Sequence, residues 1–296
     1  MLATTIYLSS FDNEEALLDR LRKIKHVALD MDGTIYTGST IFPFTKKILA
    51  NFKKLGIGYS FLTNNPSKST ADYLIHLQNM GIEAEPNELY TSAHATIAYL
   101  NENHPEIKRL FILGTPSMVR EFELAGFYAV PDDPREEPDA VVVGFDLSLA
   151  YEKLSRAAWW ISKQKLYVAT NPDFVCPTDQ PTILVDCGSI CAALEKATGR
   201  MPDMVLGKPQ PEMLHGILQT NGLIAEEIAV VGDRIYTDIL MAYRAKAFSV
   251  LVLSGEATLQ DVENADPKPD LVIPNLEMFG ELLEMARSPL EIKKQD

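Results

Sequence analysis

The stretch HVALDMDGTIYTG, residues 26–38, places two aspartates, Asp30 and Asp32, after a short apolar run and directly before a glycine. The apolar run predicts a buried strand that ends at the aspartates. Two carboxylates separated by only one residue repel each other unless a positive charge lies among them. The stretch therefore predicts the end of a core strand at which charged groups are gathered for binding or chemistry.

The rest of the chain alternates between strand-like and helical segments. Short apolar runs such as FILG, AVVVG, IAVVG and VLVLSG are separated by amphipathic stretches such as TKKILANFKKLG and PEMLHGILQTNG. Strands that alternate with helices predict parallel sheets with helices on both faces. The fold class is therefore α/β, with a Rossmann-like doubly wound parallel-sheet core.

Polar side chains follow four of the predicted strands. They are Asp30 with Asp32, Thr63 with Asn64 and Asn65, Lys208, and Asp233. Ligands of open α/β sheets bind at the carboxyl ends of the strands. We expect these residues to build one site.

The spacing of these strand ends predicts an inserted domain. Asp32 and Thr63 are 31 residues apart, and Lys208 and Asp233 are 25 apart, each about one strand–helix–strand unit. Thr63 and Lys208 are 145 residues apart, which is several units too many. We therefore predict a core from residues 1–91 and 188–296 and a smaller α/β cap from residues 92–187.

The residue types suit attack by a carboxylate on a phosphate ester. Asp30 is the candidate nucleophile, and Asp32 the candidate acid for the leaving group and base for the incoming water. Lys208 and the Thr63 hydroxyl are candidates for holding phosphate oxygens. Mg²⁺ favours a few carboxylates together with a substrate phosphate, so Asp30, Asp233 and the backbone carbonyl of Asp32 are its candidate ligands.

Several polar residues keep two interpretations. Asp238 could orient a metal-bound water or Lys208, or it could cap the next helix. Asn64 and its neighbour Asn65 could bind phosphate or the nucleophile, or they could cap the helix after Pro66. In the insert, Asn171 and Asp173 of the sequence ATNPD could face the substrate or form an asparagine–proline turn.

Composition limits the partners and the location. The net charge is −14 and no basic block interrupts it, so neither nucleic acid nor an anionic membrane surface is an expected partner. No apolar run approaches the ~20 residues that span a bilayer. Three cysteines without metal-ligand spacing, and an N-terminus without signal-peptide features, favour a cytoplasmic protein.

The motifs DMDGT, LTNN, GKP and GDRIYTD, in that order, resemble the four motifs of the haloacid dehalogenase (HAD) superfamily of phosphatases. The insert lies where the C2 cap class has its cap. Segments such as DMDGTIYTG, FLTNNPS, VLGKPQP and LVLSGE resemble the NagD-like, or class IIA, branch. The resemblance runs from about residue 25 to about residue 283.

The resemblance implies a Mg²⁺-dependent phosphatase for a small phosphorylated metabolite. It assigns Asp30 as nucleophile, Asp32 as acid and base, Thr63 and Lys208 to phosphate, and Asp30, Asp32 and Asp233 to the metal. Sugar phosphate, phosphoglycolate and pyridoxal phosphate all remain open as substrates, with a preference for a sugar or other small polyol phosphate.

Two other functions remain open, a phosphotransferase or mutase and a non-catalytic protein that binds a phosphorylated ligand. A homodimer through the cap, with the helix that carries Trp159 and Trp160 at the interface, is a further open expectation.

Overall fold

The computed structural model describes residues 7–8, 10–178 and 180–288. Its strands are β1 (Tyr7–Leu8), β2 (His26–Asp30), β3 (Tyr36–Thr37), β4 (Thr40–Ile41), β5 (Gly58–Thr63), β6 (Leu89–Thr91), β7 (Arg109–Leu113), β8 (Tyr128–Ala129), β9 (Ala140–Val143), β10 (Leu166–Ala169), β11 (Val175–Cys176), β12 (Leu184–Val185), β13 (Met204–Val205), β14 (Ile228–Gly232), β15 (Phe248–Val252) and β16 (Leu271–Ile273).

The α-helices are α1 (Glu14–Arg22), α2 (Thr45–Lys54), α3 (Thr70–Asn79), α4 (Ser92–Asn103), α5 (Pro116–Leu124), α6 (Tyr151–Ser162), α7 (Cys187–Thr198), α8 (Glu212–Asn221), α9 (Leu240–Ala245), α10 (Leu259–Asn264) and α11 (Leu276–Arg287). A π-helix spans Ile235–Ile239, and short 3₁₀ helices span Pro86–Glu88 and Ala225–Glu227. None of the helices in the described part of the chain is long and apolar enough to cross a bilayer.

The chain forms two compact units. The first unit takes the residues up to Phe61 and those from Gly222 onward, and the second unit is Leu62–Asn221. The second unit is thus inserted in sequence between two parts of the first. It is wider than the predicted cap of residues 92–187.

The first unit is built on a largely parallel sheet. Its strand order is β1-β16-β15-β14-β2-β5. β14 runs parallel to both β2 and β15, and β1 is antiparallel to β16. All five residues of β14 and of β15 are buried, which explains their unbroken apolar sequences. Because Val231 pairs with Leu29, β2 and β14 end together at one edge of the sheet.

The second unit has its own parallel sheet, in the order β13-β10-β9-β7-β8. Leu113, Val143, Ala169 and Val205 lie side by side across four of these strands. The carboxyl ends of β7, β9, β10 and β13 therefore share one edge. A two-stranded hairpin, β11 with β12, follows β10 in the chain.

One strand differs from the sequence-based expectations. MVLG was expected to continue the core of residues 188–296, but β13 pairs with β10 in the second sheet. A two-residue strand carries too little pattern to reveal its partner. The adjacent tryptophans of α6 lie in different environments. Trp160 is 5% exposed in the core of the second unit, whereas Trp159 is 46% exposed and its ring lies under the ammonium group of Lys163.

Candidate active site

Three carboxylates meet at one edge of the first unit's sheet. Asp30 ends β2, Asp233 follows β14, and Asp238 lies in the π-helix. One carboxylate oxygen from each residue lies within 4.8 Å of the other two. The pairing of Leu29 with Val231 explains why Asp30 and Asp233 are neighbours. We call these three residues the acidic cluster.

Two glycines and a loop after β15 fix the carboxylate of Asp233. The backbone N–H of Glu256 donates to Asp233 Oδ2 at 2.7 Å, and Ser254 Oγ donates to the carbonyl of Gly33 at 2.7 Å. A Cβ atom would lie 2.3 Å from Asp233 Oδ2 if added to Gly33, and 2.0 Å if added to Gly255. Both positions must therefore be glycine for Asp233 to keep this orientation.

Asp238 is fixed in a different way. Its Oδ2 accepts weak hydrogen bonds at 3.3 Å from the backbone N–H of Arg234 and from the hydroxyl of Thr237. A Cβ on Gly232 would lie 2.2 Å from Asp238 Cγ. The helix begins at Ile235 with Arg234 as its N-cap residue, so the interpretation of Asp238 as the cap is wrong. Asp238 is fully buried and its carboxylate belongs to the acidic cluster.

A positive charge lies beside the acidic cluster. Arg234 Nε is 2.8 Å from Glu256 Oε2, and the Tyr236 hydroxyl donates to Glu256 Oε1 at 2.8 Å. Burial alone would lower the pKa of Arg234, but the negative charges of Asp30, Asp233 and Glu256 oppose it, and the pKa lies above its ordinary value. Arg234 is thus always charged here and offsets part of the local negative charge.

The acidic cluster has the donor chemistry of a divalent cation site. Several carboxylate oxygens within a few ångströms are the hard ligands that Mg²⁺ prefers. Asp32 is half-buried in the turn that follows β2, where the N–H of Gly33 donates to the carbonyl of Tyr36 at 2.7 Å. Gly33 has φ +82° in that turn, which favours glycine for a second reason. The residues present therefore fit the cation that the sequence predicts.

The second unit brings Lys208 to Asn64. Asn64 Oδ1 accepts the backbone N–H of Lys208 at 2.6 Å, and Asn64 Nδ2 donates to the carbonyl of Lys208 at 3.0 Å. Lys208 is only 4% exposed and Asn64 is 8% exposed. Thr63, at the end of β5, is half-buried, and its Oγ1 accepts the N–H of Asn65 at 3.2 Å.

A chain of hydrogen bonds continues from Asn64 through the second unit. Asn64 Nδ2 also donates to Asp173 Oδ2 at 2.9 Å. Asn171 Nδ2 donates to Asp173 Oδ2 at 3.3 Å and to Asp186 Oδ1 at 3.1 Å. Asn171 is fully buried, which suits a partner of these carboxylates better than a contact with substrate. We call Asn64, Asp173, Asn171 and Asp186 the amide–carboxylate chain.

Asp186 is the buried end of this chain. It is the N-cap residue of α7 and accepts the N–H of Cys187 at 2.5 Å. Burial raises the pKa of Asp186 to about 6, hydrogen bonds from Cys187 and Asn171 work in the opposite direction, and the charge of Asp173 raises the value further. Asp186 therefore changes its charge close to neutral pH.

The helix after Pro66 is capped by neither Asn64 nor Asn65. Its N-cap is Ser69, which forms a capping box with Asp72. Asn65 Oδ1 instead accepts the N–H of Ser67 at 2.9 Å. The capping interpretation of both asparagines is therefore wrong, because the helix begins four residues later than the proline suggests.

The chain matches known families along most of its length. The family model for haloacid dehalogenase-like hydrolases matches residues 27–128, and the model for HAD-hydrolase-like proteins matches residues 205–279. The ribonucleotide monophosphatase NagD of Escherichia coli K12 is 31% identical over 253 residues, which are 86% of this chain and 97% of NagD. The chain belongs to the HAD family of hydrolases.

Solved structures place this HAD protein in the NagD-like branch. The 4-nitrophenylphosphatase of Thermotoga maritima has a TM-score of 0.83 and 39% identity, with 88% of this chain and 98% of that one covered. The glycerol phosphate phosphatase of Mycobacterium tuberculosis, solved in complex with magnesium, has a TM-score of 0.80 and 31% identity, with 86% and 77% covered. The predicted HAD-like fold is confirmed, and the chain is a HAD-type phosphatase.

The two units of the HAD phosphatase carry different parts of the predicted site. The first holds Asp30, Asp32, Asp233 and Asp238. The second holds Thr63, Asn64 and Lys208, together with Asn171 and Asp173. A carboxylate oxygen of Asp238 lies within 4.8 Å of those of Asp30 and Asp233, the two predicted carboxylate ligands.

Sequence reasoning missed two groups of residues. Ser254, Gly255 and Glu256 fix Asp233, and their signal was the SGE sequence directly after an apolar strand. Asp186 was missed because its sequence, VDCG, has only the pattern of a helix N-cap. Nothing in that pattern shows that the side chain also meets Asn171.

Proposed function

We propose that this HAD phosphatase hydrolyses a small phosphomonoester in a Mg²⁺-dependent reaction through an aspartyl-phosphate on Asp30. The observation that carries the proposal is the acidic cluster, in which Asp30 is held beside two further carboxylates. Asp30, Asp233, Asp238 and the backbone carbonyl of Asp32 would hold the cation. Bound Mg²⁺ would neutralise negative charge on the phosphate and so favour the approach of an anionic nucleophile.

The two aspartates of DMDGT have separate tasks. A carboxylate oxygen of Asp30 attacks the phosphorus atom, the ester P–O bond breaks, and Asp32 gives its proton to the leaving oxygen. Asp32 then takes a proton from water, whose oxygen attacks the same phosphorus atom. The Asp30–phosphorus bond breaks, and inorganic phosphate and the free carboxylate of Asp30 are released.

Phosphate binding is assigned to the second unit. The ammonium group of Lys208 balances phosphate charge, and a hydroxyl such as that of Thr63 can donate to an oxygen while accepting a bond from Asn65. The cap, with proposed bounds 92–187, selects the leaving group. A sugar or other small polyol phosphate is the proposed substrate class, supported by the name of the glycerol phosphate phosphatase relative.

The proposal is tested by phosphate release from a panel of sugar phosphates, glycerol phosphate, phosphoglycolate, pyridoxal phosphate and 4-nitrophenyl phosphate, with and without Mg²⁺. Wild type should require the cation. Asp30→Asn should lose at least a thousand-fold in rate, since the neutral amide is no nucleophile. Asp19→Asn, at an exposed aspartate of α1, is the matched control and should behave as wild type.

Two results would overturn the proposal. One is Mg²⁺-independent hydrolysis that survives in Asp30→Asn. The other is the absence of phosphate release from every ester by a folded wild-type protein. Product analysis with added acceptor sugars separates hydrolysis from transfer, because a phosphotransferase yields new sugar phosphates in place of inorganic phosphate.

A further inference from the structure

Both polar groups of the Lys208 main chain are bonded by the side chain of Asn64. Asn64 bonds to both the N–H and the carbonyl of the Lys208 residue, at 2.6 and 3.0 Å. Gly207, just before it, has φ +78°, and a Cβ there would lie 2.9 Å from the carbonyl oxygen of Thr170. The backbone of Lys208 is therefore fixed by Asn64 on one side and by close packing on the other.

The carboxylate of Asp173 selects the orientation of the Asn64 amide. In the observed orientation, Nδ2 gives one hydrogen to the Lys208 carbonyl and the other to Asp173 Oδ2. The reversed amide would point Nδ2 at the Lys208 N–H and Oδ1 at the carboxylate. Donor would then face donor and acceptor would face acceptor, so the pattern of partners decides the orientation. Without Asp173, the N–H and the carbonyl of Lys208 would be, among the described residues, the remaining partners that resist the reversal.

Asp173 is in turn anchored to the start of α7. Its carbonyl accepts the N–H of Gly188 at 2.8 Å, and its carboxylate accepts the amide of Asn171. The same amide donates to Asp186, which caps α7. The Thr170 hydroxyl donates to Asn171 Oδ1 at 2.8 Å and fixes the orientation of this second amide. The amide–carboxylate chain thus has a defined donor and acceptor at every link.

We propose that Asp173 is a positioning residue that holds Lys208 in place for phosphate through Asn64, with Asn171 and Asp186 as its anchor on α7. The proposal rests on the proposed role of Lys208 and deepens it. Asp173 does not touch the phosphate, and its effect passes through the amide of Asn64. A carboxylate is suited to this task because it only accepts hydrogen bonds and so imposes one orientation on each amide.

The first test uses orthovanadate as a phosphate-like probe, with its inhibition constant against hydrolysis of 4-nitrophenyl phosphate. Asp173→Ala should weaken vanadate inhibition roughly ten-fold, since Asn64 loses the partner that orients it. Asp173→Asn should stay within about three-fold of wild type, because its Oδ1 can still accept from Asn64. Asp203→Ala removes an aspartate of the same unit that accepts the N–H of Tyr167, and should leave inhibition unchanged.

The second test exchanges the two groups with isosteric changes that keep the packing. Asn64→Asp places two carboxylates side by side and should weaken vanadate inhibition at least as much as Asp173→Ala. The double change Asn64→Asp with Asp173→Asn restores a donor–acceptor pair and should recover part of the loss. A double variant that is no better than Asn64→Asp alone would overturn the proposal, as would Asp173→Ala inhibited like wild type.

Lys208→Met separates this proposal from the proposed function. If Lys208 binds phosphate, Lys208→Met weakens vanadate inhibition, and adding Asp173→Ala to it causes little further loss because both act on one interaction. Full additivity of the two losses would contradict the positioning role. If Lys208→Met binds vanadate as wild type does, the assigned role of Lys208 has failed, whatever the Asp173 variants do.

Discussion

The two units hold their polar groups by different means. In the first unit, the acidic cluster is confined by glycines, and a single added methyl group at Gly33, Gly232 or Gly255 would overlap a carboxylate. In the second unit, Lys208 is held mainly by the side-chain hydrogen bonds of Asn64. Steric confinement fixes atoms that repel each other, whereas hydrogen bonds fix groups that attract each other.

This difference follows from what each unit is proposed to bind. A cation site needs several carboxylate oxygens that stay close before the cation arrives, and here the closely packed glycine backbone confines them, with support from hydrogen bonds such as that of the Glu256 N–H. A phosphate site needs a donor that stays in place, which a complementary amide can provide. We therefore expect the first unit to tolerate almost no added volume and the second to depend on donor and acceptor identity.

The largest effect is expected for Gly33→Ala. Its Cβ would lie 2.3 Å from Asp233 Oδ2, and φ is +82°. Overlap and backbone strain together should lower the free energy of unfolding by about 3–5 kcal/mol and remove most activity. Gly56→Ala is the matched control, because Gly56 has φ +69° but nothing within 4 Å of an added Cβ. It should cost only about 1 kcal/mol. If urea unfolding gave the same loss of unfolding free energy for Gly33→Ala and Gly56→Ala, steric confinement of Asp233 would not be the cause.

The next effect concerns the charge of Asp186. Its folded pKa of about 6 lies above the ordinary value of 3.8, so the folded state binds the proton more tightly. The resulting stabilisation is complete below pH 3.8 and is lost as the pH rises through about 6. It amounts to at most about 3 kcal/mol. Asp186→Asn should remove this dependence. The free energy of unfolding of the variant, relative to that of wild type, should therefore increase from pH 5 to pH 8. A stability difference that is the same at both pH values would contradict this.

A smaller effect is expected for Gly207→Ala in the second unit. The φ of +78° and the 2.9 Å approach to the Thr170 carbonyl should cost about 2 kcal/mol. Because the added Cβ meets the backbone of Thr170 and Asn171 and would displace the residue that precedes Lys208, vanadate binding should weaken. Mn²⁺ binding to the first unit, followed by electron paramagnetic resonance, should stay as in wild type. If Gly207→Ala weakened vanadate and Mn²⁺ binding equally, the proposed separation of phosphate binding and cation binding between the two units would be wrong.

The smallest effect is expected for Glu256→Gln. The change removes the charge beside Arg234 but keeps the backbone N–H that binds Asp233. The Glu256 side chain is 49% exposed, so solvent screens the pair and stability should fall by less than about 1 kcal/mol. Mn²⁺ affinity should change by less than about five-fold. A complete loss of cation binding would mean that the side chain, rather than the backbone, holds Asp233.

The sequence predicted features that depend on local pattern. HVALD and IAVVG gave buried strands in the expected places, and carboxylate oxygens of Asp30 and Asp233 lie within 4.8 Å of each other at their ends. The sequence did not predict strand pairings and side-chain contacts between distant segments. The sheet of MVLG, the link from Asn171 to Asp186 and the glycine contacts with Asp233 depend on packing across more than ten residues, for which a single sequence carries no local signal.

The π-helix Ile235–Ile239 makes the acidic cluster sensitive to chain length as well as to residue type. This wider turn contains an extra residue compared with an α-helical turn, and Asp238 reaches the cluster from inside it. Deletion of one residue between Arg234 and Asp238 would favour ordinary α-helical spacing. It would turn the Asp238 carboxylate by about 100° around the helix axis. A substitution in this segment keeps the chain length and can change the acidic cluster slightly. A single-residue deletion would move the Asp238 carboxylate out of the cluster altogether.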